Sequence, residues 1–307
     1  MKKLLAQLKY AFFLGCTIPY REVSYEISAR KVLARLGVEL VEIPDANCCG
    51  LPVDPANHEM MLALSARNLC LAEQQNLNII TLCTGCATTL RKTNRLLKTD
   101  KKMKDEINAI LKQVGLEFKG TIEVKHLVQA LKEDVGFEKI KNAVQKPLSS
   151  LKVAEHCGCH LLRPMAYMGW DNPEEPQTLK ELIELTGATC LDYSDEAECC
   201  GYTIVAIDDR VALELSREKL NHIKEAGAQA LITVCPSCHL MFDVNQSRIE
   251  RTFNETYNLP VLHYTQLLGL AMGMSPEELA IKELRVSPSK LLQTLPMVLE
   301  PIASRPG

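Results

Sequence analysis

Asn78-Ile79-Ile80-Thr81-Leu82-Cys83-Thr84-Gly85-Cys86 is an apolar run that leads directly into a Cys-x-x-Cys pair. The same arrangement returns 152 residues later as Ala230-Leu231-Ile232-Thr233-Val234-Cys235-Pro236-Ser237-Cys238. A short apolar run of this kind is typical of a strand buried in a parallel sheet. The repetition predicts two similar halves, in each of which a buried strand ends at a pair of cysteines.

Two further cysteine motifs repeat in the same order. Gly15-Cys16 is matched by Gly158-Cys159, 143 residues later, and Cys48-Cys49-Gly50 is matched by Cys199-Cys200-Gly201, 151 residues later. One inserted loop explains why the second spacing is longer, and the turn-forming segment 170–176 is where we place it. The chain is therefore predicted to be an internal duplication.

Strand-like and helix-like segments alternate along both halves, which indicates an α/β fold. Helical stretches end at Gly37 and Gly187, and Val124-Lys125-His126-Leu127 resembles Val261-Leu262-His263-Tyr264, each opening a short helix. We predict two Rossmann-like halves with parallel sheets. Because ligand sites of such sheets gather beyond the carboxyl ends of the strands, we expect the cysteines on loops at that edge.

The predicted domain boundaries follow the repeat. Residues 1–145 form the first domain and include a lysine-rich helical connection over 91–118, which we assign to a solvated face. Residues 146–275 form the second domain. Residues 276–307 contain five prolines and are expected to be a tail, either loose or docked on a partner.

The composition fits two ordinary domains and excludes several classes of protein. Of the 307 residues, 47% are hydrophobic and 24% are charged, so the chain can form a sizeable core and is not disordered. A net charge of −3 provides no basic surface for nucleic acid. Lys9 interrupts the apolar start, and no apolar stretch approaches the ~20 residues of a membrane span. We expect a soluble, cytoplasmic protein.

Thirteen cysteines are more than a core needs, and their odd number and adjacent pairs argue against a full set of disulfides. Ten of them form two quintets at similar intervals. In the first quintet 31 residues separate the first cysteine from the adjacent pair, and 33 residues separate that pair from the Cys-x-x-Cys. In the second quintet the corresponding numbers are 39 and 34. A reduced, metal-binding chain fits this pattern best.

Three kinds of metal site compete at this point. Zinc takes four tetrahedral ligands, and two adjacent cysteines do not easily serve one such ion. A cubane iron–sulfur cluster often uses compact runs of cysteines that this chain lacks. Five thiolates, two of them adjacent, favour a larger or more open iron–sulfur cluster in each half. A dithiol mechanism at Cys83-Thr84-Gly85-Cys86 is a weaker alternative, because the pair is duplicated and accompanied by adjacent cysteines.

The remaining candidates have structural as well as functional interpretations. Cys70, Cys157 and Cys190 are interpreted as core thiols. His160 follows Cys159, and His239 follows the second Cys-x-x-Cys, so either could donate to a cluster or protonate a leaving thiolate. A lone histidine is more often structural, and both interpretations stay open.

The complete cysteine pattern resembles the CCG cysteine-rich domain, and its two-copy form resembles the B subunit of heterodisulfide reductase. Phe12-Phe13-Leu14-Gly15-Cys16-Thr17-Ile18-Pro19 and His156-Cys157-Gly158-Cys159-His160-Leu161-Leu162-Arg163-Pro164 carry the resemblance beyond the cysteines. It extends over roughly residues 10–275, with ten cysteines in register.

The resemblance implies two noncubane [4Fe-4S] clusters, with a disulfide substrate cleaved between them. The implied ligands of the first cluster are Cys16, Cys48, Cys49, Cys83 and Cys86, and those of the second are Cys159, Cys199, Cys200, Cys235 and Cys238. It also implies two partners from the same kind of complex. One is the small C subunit with cubane [4Fe-4S] clusters, which delivers single electrons, and the other is the flavin-containing A subunit.

The resemblance leaves the substrate open, because similar proteins in heterodisulfide reductase-like complexes of sulfur-oxidising bacteria are thought to act on a sulfur-loaded carrier protein. It also leaves a non-catalytic alternative. Related CCG domains occur in glycolate oxidase and in unusual succinate dehydrogenases, where such a protein could serve only as an electron relay. Both cysteine quintets are complete here, which favours catalysis.

Overall fold

The structure is a computed structural model that describes residues 8–295, and it contains two four-stranded sheets in which every strand pair is parallel. The first sheet has the order β2-β1-β3-β4 and the second the order β6-β5-β7-β8. The strands are β1 Leu8–Phe13, β2 Val38–Glu42, β3 Ile79–Thr81, β4 Val124–His126, β5 Lys152–His156, β6 Thr189–Leu191, β7 Ala230–Thr233 and β8 Val261–His263.

Helices connect successive strands, as parallel pairing requires. They are α1 Ile18–Arg21, α2 Val23–Arg35, α3 His58–Gln74, α4 Thr84–Thr99, α5 Lys101–Leu111, α6 Leu127–Ala130, α7 Phe137–Ala143, α8 Cys159–Leu162, α9 Thr178–Leu185, α10 Asp209–Glu225, α11 Pro236–His239, α12 Gln246–Phe253, α13 Tyr264–Ala271 and α14 Ser289–Thr294. The predicted α/β fold with two similar halves is therefore confirmed.

The helix that follows the second strand shows how closely the halves agree. Helices α3 and α10 each contain 17 residues, and a polar side chain caps each one. The side chain of Asn57 accepts from the amide of Met60 at 2.9 Å, and that of Asp208 accepts from the amide of Val211 at 3.0 Å. Such caps satisfy amides that the helix itself leaves unpaired.

Side chains alternate between the two faces of β1 and supply two different cores. Tyr10 and Phe12 belong to a large core that also contains residues of the second half, whereas Ala11 and Phe13 belong to a core confined to the first half. The side chains of β5 alternate in the same way: Val153 faces the shared core, and Ala154 faces a core of the second half. The two sheets therefore enclose a common hydrophobic layer.

Buried hydrogen bonds reinforce this shared layer. Helix α2 packs on α13, where the hydroxyls of Ser28 and Thr265 lie 2.7 Å apart. The hydroxyl of Tyr25 donates to the carbonyl of Val234 at 3.1 Å, next to a cysteine of the second half. These contacts fix the halves relative to each other. The domain boundaries at 145/146 and 275/276 stay predictions.

Residues 276–295 differ from the expected tail, because they pack on the chain's own core. Leu279 is fully buried, and its carbonyl accepts from the side-chain amide of Gln266 at 3.2 Å. The amides of Arg285 and Val286 both donate to the buried Asp243 carboxylate at 2.8 Å. Burial of the leucines in this segment accounts for its docking. The prolines alone indicate a tail that is loose or docked on a partner. Residues 296–307 lie outside the described range.

Candidate metal centre

The cysteine motifs lie at the carboxyl ends of the strands, as predicted. In the first half Cys16 follows β1, Cys48 and Cys49 follow β2, and the Cys-x-x-Cys pair follows β3. One detail differs from the expected loops. Cys83 occupies the N-cap of α4, and Cys86 lies in the first turn of that helix. Helix N-termini favour thiolates, so this position suits metal ligands.

The first cysteine group, as we call the first quintet, is a continuous series of interacting thiols. Each thiol interacts with the next in the order Cys16, Cys48, Cys49, Cys86 and Cys83. Cys49 and Cys86 are buried, whereas Cys16 is exposed. Five residues that are spread over 71 positions of the sequence therefore meet at one edge of the sheet.

The second cysteine group, the second quintet, repeats this arrangement. Its thiols interact in the order Cys159, Cys199, Cys200, Cys238 and Cys235. The sulfurs of Cys200 and Cys238 lie 3.4 Å apart. The structure therefore brings together all ten cysteines that the sequence singled out, five in each half.

The two cysteine groups also meet each other. The thiol of Cys83 interacts with that of Cys235, and the hydroxyl of Thr84 reaches Cys235 as well. A Cβ atom on Gly158 would lie 3.2 Å from the Thr84 hydroxyl oxygen and 3.5 Å from the Cβ of Cys235. Because this position has φ +81° and little space, glycine allows the halves to approach here.

The glycine after each adjacent cysteine pair allows the backbone to form a tight turn. Gly50 has φ +95° and Gly201 has φ +83°, both in the left-handed region. The amide of Gly50 donates to the sulfur of Cys48 at 3.5 Å, and the amide of Gly201 donates to the sulfur of Cys199 at 3.3 Å. These amides are of the kind that tunes sulfur ligands of metal clusters.

The thiols of each group alter one another's pKa. Interactions with Cys48 and Cys86 lower the pKa of Cys49 to about 4, while interactions with Cys49 and Cys83 raise the pKa of Cys86 well above its ordinary range. In the second group the pKa of Cys199 is lowered to about 2 by its thiol neighbours. Within each group, a thiol therefore loses its proton easily only while the neighbouring thiols keep theirs. Five thiolates in one group would repel one another, so they require a cation. Soft sulfur ligands in this number suit iron–sulfur clusters or zinc.

Two residues beside the second group did not emerge from the cysteine spacing. His156 is 1% exposed, and one of its ring nitrogens lies within 4.8 Å of the thiols of Cys200 and Cys238. Burial lowers its pKa to about 3, so the ring is neutral. Lys219 is fully buried in α10, and its ammonium group lies 5.1 Å from the centre of the Tyr193 ring. A polar residue at the end of a buried strand is the signal that could have identified His156.

The two histidines proposed from the sequence have different surroundings. His160 is partly exposed, and its backbone carbonyl accepts from the hydroxyl of Thr88 in the first half. His239 is buried, with Nδ1 2.9 Å from a carboxylate oxygen of Glu22 and Nε2 3.2 Å from the carbonyl of Val261. Both nitrogens of His239 are therefore engaged by groups other than cysteine thiols. A role of either histidine at a cluster stays a prediction.

Glu22 joins His239 to a second buried histidine. Nε2 of His263 lies 3.0 Å from the same Glu22 oxygen, and the two imidazole rings stack with their centres 4.0 Å apart. Burial alone would raise the pKa of Glu22, but the two histidines lower it to about 2. Because Glu22 and His263 are 241 positions apart, no local sequence signal indicates this contact.

The three remaining cysteines lie in hydrophobic cores, in agreement with their interpretation as core thiols. Their exposed fractions are small, at 2% for Cys70, 2% for Cys157 and 7% for Cys190. Burial raises the pKa of each of them. Neutral thiols in apolar surroundings are inert compared with thiolates.

The sequence matches the family described as CCG, cysteine-rich domain, over residues 10–91 and again over 153–243. Among characterised relatives, it is 40% identical over 279 residues to the B subunit of the Ferredoxin/F(420)H(2)-dependent CoB-CoM heterodisulfide reductase of Methanosarcina acetivorans, covering 90% of this chain and 93% of that protein. It is 32% identical to a protein of Archaeoglobus profundus described as like the heterodisulfide reductase B subunit, over 89% of this chain and 93% of that one.

A relative with a different name is also similar. The 8-methylmenaquinol:fumarate reductase membrane anchor subunit of Wolinella succinogenes is 33% identical over 289 residues, which cover 93% of this chain and 99% of that protein. Within residues 8–295 of the present structure, no helix is both long and apolar enough to cross a bilayer.

Among solved structures, a hypothetical protein from Helicobacter pylori has the same fold. It superposes with a TM-score of 0.75 over 91% of this chain and 52% of that one, at 16% sequence identity. At this identity the likeness supports the fold alone, and it agrees with the two parallel sheets described above.

Proposed function

Because this chain belongs to the family of heterodisulfide reductase B subunits, we propose that it is part of an oxidoreductase complex and that a disulfide is cleaved or formed there between two noncubane [4Fe-4S] clusters. The first cysteine group would hold one cluster, and the second cysteine group would hold the other. The two partners would be a small [4Fe-4S] protein like the C subunit of heterodisulfide reductase and a flavoprotein like its A subunit.

The approach of the two cysteine groups supports this proposal most. Cys83 and Cys235 interact across the boundary between the halves, and a Cβ atom on Gly158 at this boundary would lie 3.5 Å from the Cβ of Cys235. Cleavage of one disulfide between two centres requires such an approach of the two groups. Cys83 and Cys235 are the N-cap residues of α4 and α11, a position that favours a thiolate. When bound, the clusters would supply single electrons and iron sites that take up the substrate's thiolate sulfurs.

The surrounding residues hold the two groups in position. Tyr25 and His126 both contact the carbonyl of Val234, the residue before Cys235, at 3.1 Å. Both side chains are fully buried and come from the first half. They therefore fix the Cys-x-x-Cys pair of the second half against the first, which orients the two groups toward a common substrate position.

A non-catalytic electron relay is the second candidate, and the similarity to a fumarate reductase subunit favours it. A relay needs only electron transfer between neighbouring centres, whereas the proposed cleavage needs both centres at the same disulfide. The two functions therefore respond differently when one centre is removed.

The test starts from the anaerobically purified chain, reduced with dithionite and freed of excess reductant. We expect at least one of a panel of small aliphatic disulfides and a sulfur-loaded carrier protein to reoxidise it rapidly, as followed by visible absorption. The double variants Cys48→Ala/Cys49→Ala and Cys199→Ala/Cys200→Ala should each lose this reaction more than 100-fold. Cys70→Ala, which changes a core thiol, is the matched control.

Ferricyanide, a one-electron acceptor, separates the two candidates. If it reoxidises the wild-type chain and both double variants while no disulfide does, the relay is supported and cleavage is contradicted. If a disulfide reacts equally well with a chain that has lost either group, cleavage between two centres is wrong.

A further inference from the structure

The two halves differ at the last residue of the central strand. Strand β1 ends at Phe13, which pairs with Thr81, and β5 ends at His156, which pairs with Thr233. The two threonines precede the two Cys-x-x-Cys pairs by the same number of residues. Phe13 and His156 therefore occupy equivalent positions, one beside each cysteine group.

His156 has polar atoms that the protein does not satisfy. It is 1% exposed, and neither ring nitrogen has a hydrogen-bond partner among the described residues. The ring packs edge to face against Phe242, with the centres 5.2 Å apart, and a ring nitrogen lies within 4.8 Å of the thiols of Cys200 and Cys238. Because leaving a buried polar group unpaired is unfavourable, the sulfurs of the second cysteine group are the candidate acceptors for the single N–H of this neutral ring.

The first cysteine group has no such donor at this position. A Cβ atom on Gly15 would lie 2.9 Å from the sulfur of Cys86 and 3.7 Å from a ring carbon of Phe13. The phenyl ring of Phe13 therefore lies beside the first group, where it adds apolar surface and cannot donate a conventional hydrogen bond.

A second difference between the halves also makes the surroundings of the second cysteine group more favourable to negative charge. Lys219 of α10 corresponds to Asn68 of α3, since both are the eleventh residue of their helix. The Lys219 ammonium donates to the carbonyl of Asp195 and lies 3.7 Å from its carboxylate. Asn68 instead donates a neutral amide to the carbonyls of Asn47 and Cys48.

Lys219 lies beside the core that contains the second group. Its ammonium group is 5.1 Å from the centre of the Tyr193 ring, and Tyr193 packs in the same hydrophobic core as Cys200 and Cys238. Burial lowers the pKa of this lysine, and the Asp195 carboxylate 3.7 Å away opposes that shift. The second group therefore has a buried cation and an unpaired N–H donor in its surroundings, and the first group has a neutral amide and a phenyl ring in their places.

We propose that His156 donates a ring N–H to a sulfur of the second iron–sulfur centre and, together with Lys219, makes that centre the stronger electron acceptor of the two. Hydrogen bonds to cluster sulfurs and nearby positive charge both stabilise the reduced cluster, which carries one more negative charge. The inference rests on the proposed function, because it assumes a centre in each cysteine group.

This asymmetry would give the pair of centres, when bound, a defined order of reduction. A single electron that passed from the first centre to the second would oxidise the first and reduce the second by one electron each, without a change in the number of protons. The first electron that the chain received would therefore reside on the second centre at equilibrium, and the next one on the first centre.

The test is an anaerobic redox titration of the full chain, followed by low-temperature EPR, on the wild type, His156→Phe and the reciprocal Phe13→His. We expect two separate reduction steps in the wild type. His156→Phe should weaken electron binding by the higher-potential centre about tenfold, which corresponds to a midpoint about 59 mV lower for one electron. Phe13→His should raise the lower midpoint. Cys157→Ala, a change at the neighbouring buried residue, should alter neither.

A second readout needs no substitution. In wild-type protein with ¹⁵N-labelled histidine, the reduced second centre should show a weak nitrogen hyperfine coupling of the size expected through a hydrogen bond. A coupling of the size of directly bound nitrogen would overturn the proposal, because His156 would then be an iron ligand. The absence of any histidine coupling would also overturn it.

Iron content distinguishes failure of this inference from failure of the proposed function. If the wild type binds no iron, the proposed function is wrong. If wild type and His156→Phe bind the same amount of iron and have equal midpoints, the inference alone is wrong. Lys219→Asn, which introduces the first-half residue, should lower the same midpoint as His156→Phe and leave the other unchanged.

Discussion

The turn after the second adjacent cysteine pair gives a sharp prediction about stability. Gly201 has φ +83°, and a Cβ atom there would lie 2.7 Å from the backbone oxygen of Ala212. Gly227 has nearly the same φ, +79°, but a Cβ atom there would meet nothing within 4 Å. The variants Gly201→Ala and Gly227→Ala therefore share the left-handed backbone and differ in the available space.

The magnitudes follow from these two situations. An alanine in the left-handed region costs about 1–2 kcal/mol, and this is the whole effect expected for Gly227→Ala. Gly201→Ala must also displace backbone of α10, and such overpacking adds about 1–3 kcal/mol. We therefore expect the free energy of unfolding to fall by about 1–2 kcal/mol in Gly227→Ala and by about 2–5 kcal/mol in Gly201→Ala.

Anaerobic urea denaturation of the full chain measures both values, and an iron determination adds a local readout. The amide of Gly201 donates to the sulfur of Cys199, so displacement of this turn by the added methyl group should also weaken iron binding by the second cysteine group. Gly227→Ala should keep the wild-type iron content. If the two variants lose the same free energy of unfolding, close approach to α10 is not the reason for glycine at position 201.

Three further predictions concern the cores. Burial raises the pKa of Glu155 to about 8 from an ordinary 4.5. The folded state therefore binds this proton more tightly than the unfolded chain, and between these pH values stability should decline by up to ~5 kcal/mol as the pH rises. Glu155→Gln should remove this decline in urea denaturation, and equal pH slopes would contradict the assignment. Leu279→Ala should lower the free energy of unfolding by about 2–5 kcal/mol, whereas a loosely attached 276–295 segment would leave it unchanged. Cys190→Ala should retain all the iron of the wild type, and a loss of iron would place this thiol at a cluster.

The parts of the fold that the sequence predicted are those encoded by local, repeated patterns. The runs at 78–82 and 230–234 contain β3 and β7, because apolar β-formers next to a Cys-x-x-Cys pair form a buried strand end. The recurrence of the cysteine motifs then placed ten residues at the carboxyl edges of two sheets. Each of these inferences needed only spacing and residue type.

The missed features depend on tertiary contacts. Residues 276–295 contain prolines that indicate a loose tail, but Leu279 and Ile281 are fully buried in the shared core. Glu22 meets His263 only because α2 packs on α13 across the two halves. His156 lies inside a motif that carries the family resemblance, yet its meaning depends on the thiols that surround it in space and on Phe13 at the equivalent position.

The central claim is that each cysteine group holds its own iron–sulfur cluster, and iron and acid-labile sulfide determinations with Mössbauer spectroscopy test it most directly. The anaerobically purified wild-type chain should contain about eight irons in two four-iron clusters. Removing the adjacent cysteines of either half should leave about four irons, with the spectrum of the remaining cluster unchanged. A colourless zinc protein, or a chain whose iron is lost completely when one half is altered, would contradict the claim.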